Sequence, residues 1–202
     1  KRLHHRRAPR MFWDYCESGS YTEQTFRDNV DDFAKVRLRQ KVAVDMSGRS
    51  VAGWMLGRDV TMPVALAPVG SCGMQWADGE ILAAKAAEAF GVPFTLSTMS
   101  ICSIEDVAAH TTAPFMFQLY VMKDQDFVAA IIDRAKAANC SALVLTVIFS
   151  SYAFALLAAG NDLFGLLRSR AARTLGEVII AGLVSSNTAF VVQGGLSLPD
   201  ES

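Results

Sequence analysis

An α/β chain built around a parallel sheet is the fold class that the sequence predicts, and three observations carry the prediction. Four apolar runs, PVALAP (63–68), PFTLST (93–98), PFMFQLYV (114–121) and SALVLTVIF (141–149), are separated by helical patterns. Runs that are apolar at nearly every position suit strands buried on both faces, because a half-exposed strand would alternate. The repeat is roughly 25 to 30 residues long, the length of one strand, one helix and two short loops.

The bulk numbers agree with a globular chain. Its 202 residues are 51% hydrophobic, enough to fill a core. With 19 Lys plus Arg against 20 Asp plus Glu, the net charge of −1 argues against a large nucleic-acid surface. Cys16, Cys72, Cys102 and Cys140 show no metal-ligand spacing and read as buried small residues, so neither a metal site nor a disulfide scaffold is expected.

The elements follow in order. The basic opening KRLHHRRAPRMFWDY reads as a solvated terminus leading into a helix near Pro9, with a nucleic-acid or phospholipid contact as the alternative. Phe26, Val30 and Phe33 recur at helical spacing and predict a helix from Thr22 to about Phe33. The alternation in VRLRQKVAVD and VAGWMLGRDVTMP, with a break at Gly57-Arg58-Asp59, predicts a short β-ribbon. Residues 1–61 therefore form an N-terminal segment of helices and ribbon that caps the main fold, 62–149 hold the four strands, and 150–202 form a divergent tail.

Between the strands, helices are announced by Asp78 before GEILAAKAAEAF, by Ser103 with Asp106 three residues on, and by Asp124 before QDFVAAIIDRAKAA. Gly91 is a stop signal. Two architectures compete. A doubly wound nucleotide domain should carry GxGxxG after its first strand, and APVGSCGMQ does not. A (β/α)8 barrel puts ligand-holding groups at successive strand ends, and here these are Ala67-Pro68-Val69-Gly70, Ser97-Thr98, Gln118 with Tyr120, and Thr146. The barrel is the expectation.

Four stretches carry a family resemblance: RAPRMFWDYCESGSYTEQTFRDN, TMPVALAPVGSCGM, PFTLSTMSICSIEDVA, and PFMFQLYVMKDQDFV running into RAKAANCSALVLTV. Over about residues 6 to 147 the chain resembles the FMN-dependent 2-hydroxy-acid dehydrogenase and oxidase family, most closely its bacterial quinone-linked L-lactate dehydrogenases. The resemblance implies a (β/α)8 barrel with FMN across the strand ends. It implies that Ala67, Pro68 and Val69 pack on the flavin ring, and that Ser97, Gln118 and Thr146 hydrogen-bond its pyrimidine side. Tyr15 would bind the substrate carboxylate, Tyr120 would reach the substrate beside the departing hydroxyl proton, and Met99 would line the substrate pocket. A small 2-hydroxy acid as substrate, a quinone or other respiratory-chain acceptor, a homo-oligomer, and a cytoplasmic location with peripheral contact at the inner face of the cell membrane are implied in the same way.

The match stops after Val147. Where the family has an Asp that orients the substrate tyrosine, this chain has Ile148. The later Lys, the S-N-H-G-G-R motif with its general-base His, and the substrate-binding Arg are absent, the only histidines being His4, His5 and His110. The residues after Phe149 leave room for about two more units rather than four, so half a barrel is expected, with exposed strand edges and faces. Three readings of the tail stay open. One is an out-of-frame translation, since deleting one G from GATCTTC turns Asp-Leu into Ile148-Phe149. Another is a genuine divergent segment, apolar over 152–167 but broken by Asn161-Asp162 and too short to span a membrane. The third is a sequence fragment. The functional expectations are correspondingly an FMN-dependent oxidoreductase inactive as this chain alone, a non-catalytic half-barrel that binds a ligand or partner half, or the product of a disrupted gene.

Overall fold

The computed structural model describes residues 1–148, 178–184 and 188–192, and divides into two compact units, Lys1–Pro63 and Val64–Ser202. In the first unit, helices α1 (Arg2–Arg7), α2 (Arg10–Glu17) and α3 (Gln24–Asp31) are followed by a 3-10 turn, Asp32–Lys35. Pro9 directly precedes α2, a position that needs no backbone donor. Lys1 and His5 both reach Glu17, at 3.1 and 2.7 Å, and the His5 ring stacks on Trp13 with centroids 4.1 Å apart. The basic opening is thus helical and tied to α2 instead of a loose terminus. Strands β1 (Gly53–Met55) and β2 (Arg58–Val60) form the antiparallel ribbon. Its turn lies at Leu56 and Gly57, both at positive φ, the geometry that matches the twist of a two-residue hairpin. The alternating VRLRQKVAVD segment joins no strand among the described residues.

In the second unit, α4 (Cys72–Gln75), α5 (Gly79–Phe90), β3 (Thr95–Ser97), α6 (Ile104–His110), β4 (Met116–Leu119), α7 (Gln125–Ala137) and β5 (Ala142–Ile148) follow in order, then β6 (Val178–Val184) and β7 (Thr188–Val192). The sheet order is β3-β4-β5-β6-β7, parallel except for the last pair. Leu66 adds a parallel bridge to Phe94 on the other side of β3, through Leu66 N to Pro93 O (2.8 Å) and Thr95 N to Leu66 O (3.1 Å). Successive strands therefore lie side by side with no reversal of order. A doubly wound sheet needs a reversal at its switch point. From Leu66 through β6 the order is that of an arc of a (β/α)8 barrel, and the antiparallel β7 departs from it.

The local signals act as expected at most helix ends. Ser103 and Asp106 form a reciprocal capping box, Asp124 accepts from Phe127 N, and Gly91 closes α5 at φ 81°. Asp78 is different: it stands at φ 56° before α5 and its side chain makes no capping bond. The first apolar run, 63–68, is reduced to the Leu66 bridge, because Pro63 and Pro68 bracket it and cannot donate to a ladder. The single-turn α4 carries no periodicity long enough to be legible. Of the cysteines, only Cys102 and Cys140 are buried, and burial pushes the Cys140 thiol up to about 12.

Register partners of parallel strands share a face. One face carries Leu96, Phe117, Leu119, Leu143 and Leu145, and the other carries Thr95, Ser97, Met116, Gln118, Ala142 and Val144. All of them are buried, so the exposed inner face expected of half a barrel is not found among the described residues. The 152–167 segment lies outside the described residues. No helix among the described residues is long and apolar enough to cross a membrane.

On the outer side, Arg134 of α7 grips Glu105 of α6 with two bonds of 2.7 and 2.6 Å. The guanidinium, helped by Glu105's own backbone N–H, holds that carboxyl down to about 2 from 4.5. A carboxylate depressed on folding adds stability above about pH 4.5, and the gain fades as the pH falls toward 2. Both partners are about half exposed, so solvent screening keeps the gain to about 0.5–1 kcal/mol. Glu105→Gln is expected to lower the urea unfolding free energy by about that much at pH 7, with the gap to the parent closing between pH 4.5 and 2. By contrast, Leu143→Ala, at a fully buried site on β5, should cost about 2–5 kcal/mol at either pH.

Candidate functional site

The polar groups of the second unit gather where the strands end. Ser97, the last residue of β3, is in register with Gln118, and Gln118 with Val144. Thr146 lies two residues beyond Val144 on β5 and so on the same face, and Tyr120 directly follows β4. A row of neutral hydrogen-bonding side chains thus crosses three adjacent strands at their C-terminal ends.

Within the row the donors are tightly allocated. The Ser97 hydroxyl donates to Gln118 Oε1 (3.1 Å) and accepts from Met99 N (3.1 Å). Thr98 N divides its bond between the Gln118 carbonyl oxygen (3.0 Å) and Oε1 (3.4 Å). A backbone N–H can point only at an acceptor, so the side-chain oxygen faces Ser97 and Thr98, and the amide nitrogen faces the other way. That nitrogen, Nε2, has no hydrogen-bond partner among the described residues although Gln118 is 1% exposed. A buried amide donor without a partner costs about 1–3 kcal/mol. Such a group calls for a partner, and Glu80 Oε2 is the other buried side-chain polar atom without one among the described residues.

Thr98 is legible in the sequence as a strand-end group beside Ser97, but its bonding is not. Its hydroxyl donates to the Gln118 carbonyl (2.5 Å) and accepts from Tyr120 N (3.1 Å), stitching the end of β3 to the first residue beyond β4. The signal was available, since Thr98 ends the PFTLST run, but one hydroxyl at a strand end usually bonds only its own turn.

The loops after the first two strands are joined to each other. Ser71 N donates to Met99 O (2.9 Å), and a Cβ on Gly70 would stand 3.1 Å from the Met99 Cβ. Met99 is 55% exposed in the second of these loops, Ala67 and Val69 are exposed, and Pro68 is half-buried in the first. Thr146 and Tyr120 are half-buried. Tyr15 stands apart from this set: it belongs to the first unit, on α2, and is 80% exposed. Among the described residues no group of His, Cys, Asp and Glu could hold a metal ion.

Residues 4–149 match the model of the FMN-dependent dehydrogenase family. The chain belongs to that family. Members of the family are FMN-dependent. A soluble mutant of the membrane-associated (S)-mandelate dehydrogenase from Pseudomonas putida is 36% identical, with a TM-score of 0.67 over 72% of this chain and 42% of its own. A mandelate oxidase mutant with (S)-mandelic acid is 30% identical, with a TM-score of 0.66 over 72% and 43%. The monotopic membrane protein (S)-mandelate dehydrogenase is 36% identical over 72% of this chain and 39% of its own, with a TM-score of 0.67. This member of the FMN-dependent dehydrogenase family thus spans about two fifths of the length of these relatives, which fits half a barrel.

The allocation of donors makes a checkable demand. Thr98→Val keeps the shape but leaves the Tyr120 N–H without its acceptor, so it should lower unfolding stability by about 1–3 kcal/mol in urea titrations. Thr98→Ser, which keeps the hydroxyl, should recover most of that loss.

Proposed function

We propose that this chain carries the flavin-ring-binding half of an oxidoreductase that converts L-lactate or a related 2-hydroxy acid to the 2-oxo acid. The observation that carries the reading is the unpaired Nε2 of Gln118, a buried donor in the middle of a neutral row at the strand ends. The pyrimidine side of an isoalloxazine ring presents carbonyl oxygens and ring nitrogens, which suit neutral amide and hydroxyl partners and not charges. The residues present fit the group: Gln118 supplies the donor, Thr146 a hydroxyl two residues beyond the Val144 register partner, and Ser97 holds the Gln118 amide in orientation. Ala67, Pro68 and Val69, largely exposed in the loop after the first strand, offer apolar surface for the ring to lie on.

Bound FMN supplies the acceptor for the two electrons and hydrogen that leave the substrate carbon. The chain's own residues bind and orient. Tyr120, held by its backbone bond to Thr98, presents its phenol toward the substrate, and Tyr15 is assigned to the substrate carboxylate. Met99 lines the substrate pocket, where an unbranched thioether adapts to a methyl or an aryl substituent. Lactate stands ahead of mandelate on the sequence motifs, while the structural relatives described above are named for mandelate. A respiratory quinone is the proposed electron acceptor. Peripheral attachment to the inner face of the cell membrane is supported by the monotopic relative, and a homo-oligomer is proposed on family grounds.

No base for proton removal is identified among the described residues. His110 ends α6 on the exposed side with Nδ1 against Asp106 O (2.7 Å), and His4 and His5 lie on α1. Positioned base catalysis contributes about 100- to 10,000-fold. The chain should therefore quench FMN fluorescence on titration yet show no L-lactate- or (S)-mandelate-dependent dye reduction. Gln118→Leu should weaken FMN binding about tenfold, the loss of one well-made buried hydrogen bond. Unchanged FMN affinity in that variant would remove the basis for the reading.

A further inference from the structure

Glu80 is 1% exposed, in the first turn of α5, and belongs to none of the strand ends. A carboxylate so placed needs donors or it takes up a proton. Its Oε1 has them, accepting from Gly73 N (3.1 Å) and from Ile101 N (2.9 Å), while Oε2 has no partner among the described residues. Burial works against its charge, but the N–H groups of Ile101, of Glu80 itself and of Gly73, with the Cys102 thiol, outweigh it and hold the carboxyl below its ordinary range. The N-terminal end of α5 favours the same ionised state.

The two amides that Glu80 grips belong to different connections. Gly73, on the single turn α4, lies in the connection after the first strand, downstream of Ala67, Pro68 and Val69. Ile101 lies in the loop after β3, two residues beyond Met99. The two approach so closely that a Cβ on Gly73 would come within 2.7 Å of the Ile101 Cβ. Ser71 N to Met99 O is the one backbone–backbone bond between these loops among the described residues.

We propose that Glu80 is a positioning residue of the flavin pocket, its buried carboxylate clipping the Gly73 loop to the Ile101 loop and so fixing Ala67–Val69 against Met99. The clip itself is a property of the fold, and its effect on the cofactor rests on the reading that these two loops face FMN. Charge is part of the device. A neutral amide keeps an acceptor oxygen in place but replaces charge-assisted bonds by weaker ones.

The test uses the full chain with Glu80→Gln and Glu80→Ala. Hydrogen exchange followed by mass spectrometry reads peptides over 70–76 and 98–103, with 128–135 of α7 as the reference for an intact fold. FMN titration reads affinity and the shape of the bound flavin's visible bands. Glu80→Ala is expected to lose protection in both loop peptides while α7 stays protected, to bind FMN about tenfold more weakly or worse, and to alter the flavin bands. Glu80→Gln is expected to fall between Ala and the parent in all three. Loop protection unchanged in Ala, or in Gln if Ala does not fold, overturns the clip. Protection lost with FMN affinity and bands unchanged overturns its role in the pocket. A parent chain that binds no FMN overturns both the functional reading and that role, while the exchange data still decide the clip.

Discussion

The in-register parallel pairing of β3, β4 and β5 is the constraint on which the rest of the second unit depends. Because side chains alternate faces along a strand, the register Ser97–Gln118–Val144 places two polar residues on the same face as one another, with Thr146 two steps farther along it. A slip of one residue in β4 would turn Gln118 to the face of Leu96, Leu143 and Leu145, where no acceptor or donor waits. The reverse cost pins the register as well. The same slip would bring Phe117 and Leu119 into the polar row beside Ser97. The Thr98 hydroxyl adds a local check, since it can meet both the Gln118 carbonyl and the Tyr120 amide only when β3 and β4 are aligned as they are.

Two buried polar side chains in this unit are each half satisfied, with different chemistry. Glu80 carries a full charge and is the more expensive to bury; its Oε1 collects donors from two backbone segments and keeps it ionised, while Oε2 has no partner among the described residues. Gln118 carries no charge, is equally buried, and is left with a donor open. An oxygen that gathers donors from two loops in a low-dielectric interior rigidifies what surrounds it. A donor left open at the strand ends suits an acceptor on a ligand. Which atom is bonded and which is open appears only when each hydrogen bond is assigned.

Much of this was legible in the amino-acid sequence, for reasons specific to each element. The runs at 93–98, 114–121 and 141–149 announce strands because a sheet covered on both faces permits no polar alternation, and β3, β4 and β5 lie within them. Ser103 with Asp106, and Asp124, announce helix starts through capping chemistry that needs only local residues. Asp78 misleads because composition cannot reveal that its backbone is left-handed and that its side chain makes no capping bond. The polar strand ends were readable one by one as Ser97, Gln118, Tyr120 and Thr146, whereas their bonding was not. That Ser97 is spent on Gln118 and Met99, leaving Nε2 open, depends on a pairing across 21 residues. Glu80 was invisible for a related reason: an acidic residue in a helix's first turn is ordinary, and its grip on Gly73 and Ile101 spans separate loops.

The described residues also divide binding from chemistry. A general base must have a pKa near the working pH and a proton within reach. Four carboxylates among the described residues of the second unit are committed in the opposite sense. Glu80 is held low by backbone donors, Glu88 by Thr112 and Ala113, Glu105 by Arg134, and Asp106 by Ser103. Each depression stabilises the ionised form and so makes the group a weaker base. Each of these carboxylates ties a helix to a loop, a helix to a helix, or a helix to its own first turn. The groups at the strand ends are the reverse: Ser97, Gln118, Tyr120 and Thr146 are neutral and suited to recognising a ring by its hydrogen-bonding edge. A flavin enzyme assembled in this way can use its first four strands to bind and orient, and must draw its proton acceptor and its charged anchors from residues beyond them.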